Sequence, residues 1–260
     1  MRFLSRAVKT VATGGASIPT VFPTWETRQI AIRRAEVSMI AGPPGAGKST
    51  LALRLAVGAG VGTLYFSADT HSHTMAMRAA AMLTGEIQSA VEQRIEDDPR
   101  WASQTLSAID HIKWCFDSAP SLKDIEEEIH LYQDMNGTNP ELIIIDNAVD
   151  VTHQDGDEFS SLRSLMRELK WWARDTEAAV LILHHTSEAV QGNPCPPRSA
   201  IHGKVNQTPA VILTVSSPTT GLMAVCPVKN RYGPADATGS TPTWLNYDAA
   251  SMYLADSGAR

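Results

Sequence analysis

The amino-acid sequence predicts an α/β fold: a mostly parallel sheet flanked by helices, with an antiparallel extension near its C-terminal end. Between residues 37 and 184, apolar runs of strand length alternate with segments of helical spacing. Continuous apolar strands that alternate with helices are typical of a parallel sheet covered on both faces. After residue 210, three strand-like runs follow one another with only turns between them. Short connections of this kind join antiparallel strands, which predicts the extension.

Each element has its own signal. Ser121 is a predicted N-cap, because its hydroxyl can accept from first-turn amides and acidic residues follow it, and Gly137 supplies the C-terminal stop. Residues 85–110 are predicted as further helix or loop. The parallel strands are predicted at 37–41, 62–67, 111–116, 142–146 and 180–184, the helices at 50–56, 75–82, 122–135 and 160–176, and the antiparallel strands at 211–215, 222–228 and 243–245.

Length and composition bound the class of protein. The chain has 260 residues, of which 43% are hydrophobic, enough for one large α/β domain or two small ones. We assign residues 31–255 to one domain and residues 1–30, the weakest-patterned part, to an N-terminal arm or linker. No apolar run is long enough to span a membrane, and no apolar h-region follows the basic start. The three cysteines are scattered without C-x-x-C spacing, which predicts a cytoplasmic protein.

The strongest functional motif is a glycine-rich segment between the first predicted strand and the helix after it. It fits the phosphate-loop pattern G-x-x-x-x-G-K-[ST] at every fixed position. Backbone N–H groups and the positive end of the helix dipole would face the phosphates of ATP. Lys48 would reach the β- and γ-phosphates, and the Ser49 hydroxyl would bind Mg²⁺. The predicted nucleotide-binding residues are Gly42, Pro43, Pro44, Gly45, Ala46, Gly47, Lys48, Ser49 and Thr50.

Polar residues at the carboxyl ends of the parallel strands complete the predicted site, because ligands of open parallel sheets bind beyond these ends. Asp146 closes a fully apolar strand in the Walker B pattern and would hold Mg²⁺ together with Ser49. Asp69 follows the second strand and is a candidate to position the attacking water; its structural alternative is a helix N-cap. His184, at the end of the fifth strand, is a candidate γ-phosphate sensor; its alternative is a satisfied buried histidine.

This order of motifs resembles the RecA-like ATPase core, and within it the DnaB-type ring helicases and the bacterial RadA/Sms recombination factors. Lys229-Asn230-Arg231-Tyr232-Gly233-Pro234 is similar to the K-x-R-x-G-P segment of these helicases and to the K-N-R-F-G motif of RadA. Two further matches to the helicases are Tyr65-Phe66-Ser67-Ala68-Asp69 with Met77-Arg78, and Glu168-Leu169-Lys170 with Ala173. The resemblance covers residues 30–250 and implies a minimal version of the phage or plasmid type, at work in the host cytoplasm if a phage encodes it.

The resemblance also implies an assembly. It predicts a homo-oligomeric ring, a hexamer, in which Lys229 and Arg231 reach the γ-phosphate bound by the neighbouring subunit. Arg231 would be the arginine finger, and a cation supplied at the transferring phosphoryl group accelerates hydrolysis by about 10³–10⁵-fold. The helicases usually carry glutamate where this chain has Asp69. Because aspartate is one methylene shorter, water activation is expected to be weaker or to need another residue.

Two loops, 148–160 and 187–204, are predicted to face the channel of the ring. The second carries Arg198, His202 and Lys204, whose phosphate contacts would bind single-stranded or forked DNA without reading its sequence. The net charge of −6 argues against a monomer that coats nucleic acid by overall positive charge, but it leaves a local basic channel open. Together these features favour an ATP-dependent DNA motor that acts in DNA replication.

Three alternatives stay open at the level of sequence. A RadA-like recombination or branch-processing ATPase would share the chemistry and differ in its DNA substrate. A structure-specific DNA nuclease is suggested by more His and Asp residues than an ATPase needs, since carboxylate and imidazole groups can hold Mn²⁺ or Zn²⁺ and activate water. A regulatory ring that binds ATP without processing DNA is the third. The residues of the nuclease hypothesis are Asp69, His71, His73, Asp146, Asp150, His184 and His185.

Overall fold

The computed structural model describes residues 15–151, 158–187 and 192–257, which contain one nine-stranded sheet. Its strands are Val37–Gly42 (β1), Thr63–Ser67 (β2), Ile112–Cys115 (β3), Leu142–Asp146 (β4), Ala179–His185 (β5), Val211–Thr219 (β6), Leu222–Asn230 (β7), Thr243–Asp248 (β8) and Tyr253–Asp256 (β9). They lie in the order β3-β2-β4-β5-β1-β6-β7-β8-β9. Neighbours from β3 to β6 are parallel, and those from β6 to β9 are antiparallel. The predicted α/β class with an antiparallel C-terminal extension is confirmed.

One short helix precedes the first strand, and the other helices connect the strands of the parallel part. They are Pro23–Thr27 (α1), Lys48–Ala59 (α2), Ser72–Thr84 (α3), Gln88–Asp97 (α4), Pro99–Leu106 (α5), Leu122–Asn136 (α6) and Glu158–Thr176 (α7). Short 3₁₀ turns lie at Ser107–Ile109, Ala148–Asp150, Arg198–Ala200 and His202–Lys204. Within the described ranges, none of the helices combines the length and apolar character that a membrane crossing requires.

Both faces of the sheet are covered, which is why its central strands are apolar at nearly every position. Successive side chains of a strand point to opposite faces. In β4, Ile144 belongs to the core that also contains side chains of α2 and α3, whereas Ile143 and Ile145 belong to the core shared with α6 and α7. All three isoleucines are buried. Ligands of a sheet covered in this way bind beyond the carboxyl ends of its parallel strands.

The N-terminal segment corrects one expectation. Residues 15–30, assigned above to an arm or linker, pack onto the domain: Phe22, Trp25 and Ile30 are buried in the same core as α2. The backbone N–H of Thr24 donates to Asp256 at 3.0 Å, which ties the segment to β9. A five-residue helix has no periodic pattern to recognise, so sequence spacing missed it. Residues 1–14 of the predicted arm lie outside the described residues.

The ends of α6 follow the predicted signals. The Ser121 hydroxyl accepts from the N–H of Asp124 at 3.2 Å, and the Asp124 carboxylate accepts from the N–H of Ser121 at 2.8 Å, which is a capping box. Gly137 ends the helix with φ +70°. Strand β9 was not predicted, because four residues are too few to show an alternating pattern.

Candidate functional site

The glycine-rich turn after β1 forms the cradle that the motif predicts. Gly45 and Gly47 have φ of +74° and +86°, values that side-chain-bearing residues rarely adopt. A Cβ at Gly42 would lie 2.7 Å from the carbonyl oxygen of Val215, so β6 approaches too closely for any other residue there. The turn leads directly into α2, whose first residues therefore present free backbone N–H groups to the cavity.

Lys48 begins α2 and is buried, with its Nζ turned back onto the loop. It donates to the carbonyl oxygens of Gly42 at 3.1 Å and Pro43 at 3.0 Å. Burial lowers its pKa, and the carboxylates of Asp146 and Asp69 oppose that shift. Both acidic residues are therefore close enough for their charges to act on the lysine, as the sequence predicted.

Asp146 ends β4 and is buried beside the start of α2. Burial raises the pKa of its carboxyl, while hydrogen bonds from the Ser49 and Tyr65 side chains favour the charged form. The Tyr65 hydroxyl donates to Oδ2 at 3.1 Å. Ser49 and Asp146, the predicted magnesium ligands, thus lie in contact, and oxygen donors of this kind suit Mg²⁺. The role of Tyr65 was not predicted, although a tyrosine inside an apolar strand needs a hydrogen-bond partner.

Asn147 organises the acidic groups beyond Asp146. Its side-chain amide donates to Asp69 Oδ2 at 2.9 Å, and its backbone N–H donates to Asp150 Oδ2 at 3.3 Å. Burial and the charge of Asp69 raise the pKa of Asp150. Sequence analysis missed Asn147, although its place directly after the Walker B aspartate was the available signal. The arrangement fixes the Asp69 carboxylate where it lines the cavity.

The histidine pair at the end of β5 differs from the prediction. His184 is fully buried, and its Nε2 donates to the carbonyl oxygen of His202 at 3.1 Å. Burial lowers its pKa to about 4, so the ring is neutral. His185, one residue further, lines the cavity beside Lys48 instead. Of the two histidines, His185 is therefore the one whose side chain lines the cavity, because successive side chains of a strand face opposite sides of the sheet.

The cavity that unites these groups measures about 580 Å³. The glycine-rich turn contributes part of the lining, and α4 and the β8–β9 region contribute another part, through Gln88, Tyr247, Ala249 and Met252. Gln88 joins α4 to the β8–β9 region: its Nε2 donates to the carbonyl of Ala249 at 2.9 Å. These residues were not predicted, because nothing in their local sequence marks a ligand site.

Lys229 and Arg231 lie away from this cavity, beside the opposite ends of the parallel strands, where β1 begins. Asn230 pairs with Val211, which itself pairs with Ser38 near the start of β1, whereas the glycine-rich turn follows the end of β1. Four residues of strand span about 13 Å. One chain therefore does not bring these cations to its own nucleotide site.

The predicted DNA-contacting residues do not all have the same surroundings. Arg198 is exposed, and its charge acts on the pKa of Lys229, so the two residues are neighbours. His202 is exposed and contributes its carbonyl to His184. The side chain of Lys204, residues 152–157 and residues 188–191 lie outside the described residues.

The aspartate and histidine side chains of the nuclease hypothesis do not come together as a metal site. In the described parts of the chain, no group of three or more His, Cys, Asp and Glu side chains is arranged to hold a metal ion. His71 and His73 are exposed at the start of α3, and His184 turns to His202. A magnesium ion that takes two protein ligands and phosphate oxygens needs no such cluster.

A glycine-rich turn with a buried lysine, next to a serine–aspartate pair and parallel strands in this order, defines a P-loop ATPase with a RecA-like core. The chain belongs to the AAA domain family, whose sequence profile matches residues 16–191. It is an ATP-hydrolysing P-loop enzyme. The gene 65 protein of Mycobacterium phage L5 is 32% identical over 257 residues, 94% of either chain. That of phage D29 is 32% identical over 231 residues, 84% of this chain and 98% of that protein.

Solved structures confirm the fold. One solved ATPase domain superposes with a TM-score of 0.80 at 16% identity, over 97% of this chain and 95% of that chain. A DnaB-like replicative helicase, described with its interactions with primase, has the same TM-score and identity, over 97% of this chain and 66% of that chain. The RadB recombinase has a TM-score of 0.62 at 15% identity, over 92% of this chain and 99% of that chain.

Proposed function

We propose that this protein is an ATP-dependent DNA motor, the core of a DnaB-like ring helicase that binds single-stranded or forked DNA during DNA replication. The observation that carries the proposal is the separation of Lys229 and Arg231 from the chain's own nucleotide cavity. Cations placed beside the opposite ends of the parallel strands would meet the nucleotide of a neighbouring subunit in a ring. Hydrolysis would then depend on assembly, as a ring motor requires.

The proposed roles follow from the site. Residues 42–50 bind the phosphates of ATP, and Lys48 stabilises the γ-phosphate. Ser49 and Asp146 hold Mg²⁺, which would neutralise developing charge on the phosphates. Asp69, fixed by Asn147, orients the attacking water. Lys229 and Arg231 act from the neighbouring subunit.

DNA is proposed to contact the basic residues on the loop between β5 and β6. Arg198 is exposed beside Lys229, and His202 and Lys204 follow on the same loop. His184 ties the His202 carbonyl to the strand end that lines the nucleotide cavity. A change at the γ-phosphate would therefore reach this loop through a short, buried connection. The two similar phage proteins favour a role for the motor in the host cytoplasm.

The test is ATP hydrolysis with and without single-stranded and forked DNA, with the DNA examined on a gel after each reaction. We expect DNA to stimulate hydrolysis and the fork to be separated, and Lys48→Ala to abolish both effects. Stimulation without strand separation, together with activity on recombination intermediates, would favour the RadA-like function instead. DNA shortening that survives Lys48→Ala would favour the nuclease, and hydrolysis indifferent to DNA would favour the regulatory ring.

A further inference from the structure

The turn that carries Arg231 has its own counter-charge. Arg231 Nη1 lies 3.3 Å from both carboxylate oxygens of Glu36, the residue just before β1. The Tyr232 hydroxyl donates to Glu36 Oε1 at 2.7 Å, and the guanidinium of Arg33 lies 4.5 Å from the centre of the Tyr232 ring. The carboxylate is thus held by two side chains of the turn. A carboxylate offers a guanidinium the same kind of bidentate acceptor as a phosphate.

We propose that Glu36 and Tyr232 are positioning residues that hold the Arg231 guanidinium on its own subunit, in competition with the phosphate of a neighbouring subunit. This inference rests on the proposed action of Arg231 across a subunit interface. Glu36 takes the place of the phosphate while no neighbour presents one. Its effect is to lower the rate of hydrolysis until an assembled interface takes the guanidinium.

The backbone around Arg231 is fixed, so the exchange requires movement of the side chain alone. Asn230 Nδ2 donates to the carbonyl of Gln29 at 3.0 Å, and Asn230 Oδ1 accepts from the N–H of Tyr232 at 3.1 Å. A Cβ at Gly233 would lie 2.7 Å from the Cβ of Gln29, so the turn sits directly on the N-terminal segment. The Arg231 side chain itself remains 49% exposed. It can therefore leave Glu36 without disturbing the turn.

Glu36 is the counter-charge in a group of cations that includes Arg231, Lys229 and Arg198. Burial lowers the pKa of Lys229, followed by the charges of Arg231 and Arg198, and Glu36 opposes these effects. Among the described groups whose charges act on Lys229, Glu36 is the single carboxylate. Lys229 itself is held by the carbonyls of Asn206 and Gln207, at 2.9 and 2.7 Å. Loss of the Glu36 charge would leave Arg231 repelled by its neighbours and free to turn outward.

The restraint is weak enough to be overcome. Exposed ion pairs contribute little because water and salt screen them, so removing this one is expected to change the rate about two- to five-fold. Glu36→Gln keeps the size of the side chain and removes its charge. We expect it to raise kcat for ATP by that factor and to leave KM unchanged. Tyr232→Phe, which loses one hydrogen bond to the carboxylate, should raise kcat less.

The control is Glu127→Gln on α6, which removes another exposed carboxylate whose partner, Lys123, lies 2.8 Å away. It should leave kcat unchanged. A further comparison adds Glu36→Gln to the Arg231→Ala variant and measures the residual hydrolysis, which should not change if Glu36 acts through Arg231. A rise in activity there, or a fall in kcat of the single Glu36→Gln variant, would overturn the inference.

The two proposals fail in different ways. If Arg231→Ala abolishes hydrolysis while Glu36→Gln and Tyr232→Phe both match the wild type, Glu36 does not restrain the guanidinium and the trans action stands. If Arg231→Ala hydrolyses ATP at the wild-type rate, the proposed trans action itself is wrong. Should Glu36→Gln unfold at a lower temperature than the wild type, Tyr232→Phe, which keeps every charge, decides the question.

Discussion

At the scale of single residues, the hydroxyl of Tyr65 determines how Asp146 is held. Tyr65→Phe removes the donor 3.1 Å from Oδ2 and retains the ring that packs against Trp114. Because this hydrogen bond lowers the pKa of Asp146, its loss raises that pKa further. We expect the Mg²⁺ concentration for half-maximal hydrolysis to rise about three- to tenfold, the scale of the net contribution of one typical hydrogen bond.

Magnesium titrations at pH 6 and pH 8 check this prediction. The difference between variant and wild type should be larger at the lower pH, because the pKa of Asp146 is raised and protons compete with the metal for this carboxylate more as the pH falls. Equal titrations at both pH values would show that Tyr65 does not tune this carboxyl.

His184 gives the second prediction at this scale, a loss of stability in mild acid. Its pKa is about 4 in the folded protein, below the ordinary value of 6.5, so the unfolded chain binds the proton more readily between these values. The contribution of the neutral His184 ring to the free energy of unfolding is fully present above pH 6.5 and is lost as the pH falls toward 4. From pH 7.5 to 5.5 this group should lower the free energy of unfolding by about 1 kcal/mol.

Urea unfolding of the wild type and of His184→Gln at both pH values measures that contribution. Glutamine keeps an N–H donor for the His202 carbonyl and cannot titrate. The variant should therefore show a smaller pH dependence by the same amount. An unchanged pH dependence would mean that the buried ring is not the group responsible.

At the scale of elements, a contact between α4 and the turn after β8 forms part of the cavity lining. Gln88 makes it through its side chain and also through its N–H, which donates to the carbonyl of Ala250 at 2.8 Å. Gln88→Ala removes the side-chain part, which should raise KM for ATP about two- to tenfold with kcat nearly unchanged. Gln93→Ala, which removes an exposed side-chain hydrogen bond to Asp97 from the same helix, should change neither value.

The same contact shows where sequence analysis reaches its limit. The apolar strand that ends in Asp146 and the complete phosphate-loop pattern could both be predicted, because each is a local feature of the sequence. Gln88 and Ala249 lie 161 residues apart, and no local pattern specifies their contact. The choice between His184 and His185 depended on one residue at a strand end, since successive side chains face opposite sides of a sheet.

At the scale of the whole molecule, the opposite placement of Lys48 and Arg231 predicts complementation between inactive variants. Arg231→Ala should nearly abolish hydrolysis and leave ATP affinity almost intact, because the finger contributes in the transition state. The Lys48→Ala chain lacks a competent nucleotide site but keeps Arg231, the arginine finger. When the two are mixed in equal amounts, about a quarter of the interfaces join an intact site to an intact finger, since a ring interface takes a different surface from each neighbour.

We therefore expect the mixture to recover about a quarter of the wild-type rate, if interfaces act independently. A chain with both substitutions supplies the control: mixed with Lys48→Ala, it forms no complete interface and should remain inactive. Exchange of subunits between the variants is verified by energy transfer between labelled chains. With exchange established, a mixture that stays inactive at every ratio would contradict trans action. In that case Lys229 and Arg231 would serve the turn on which they lie rather than the neighbour's ATP.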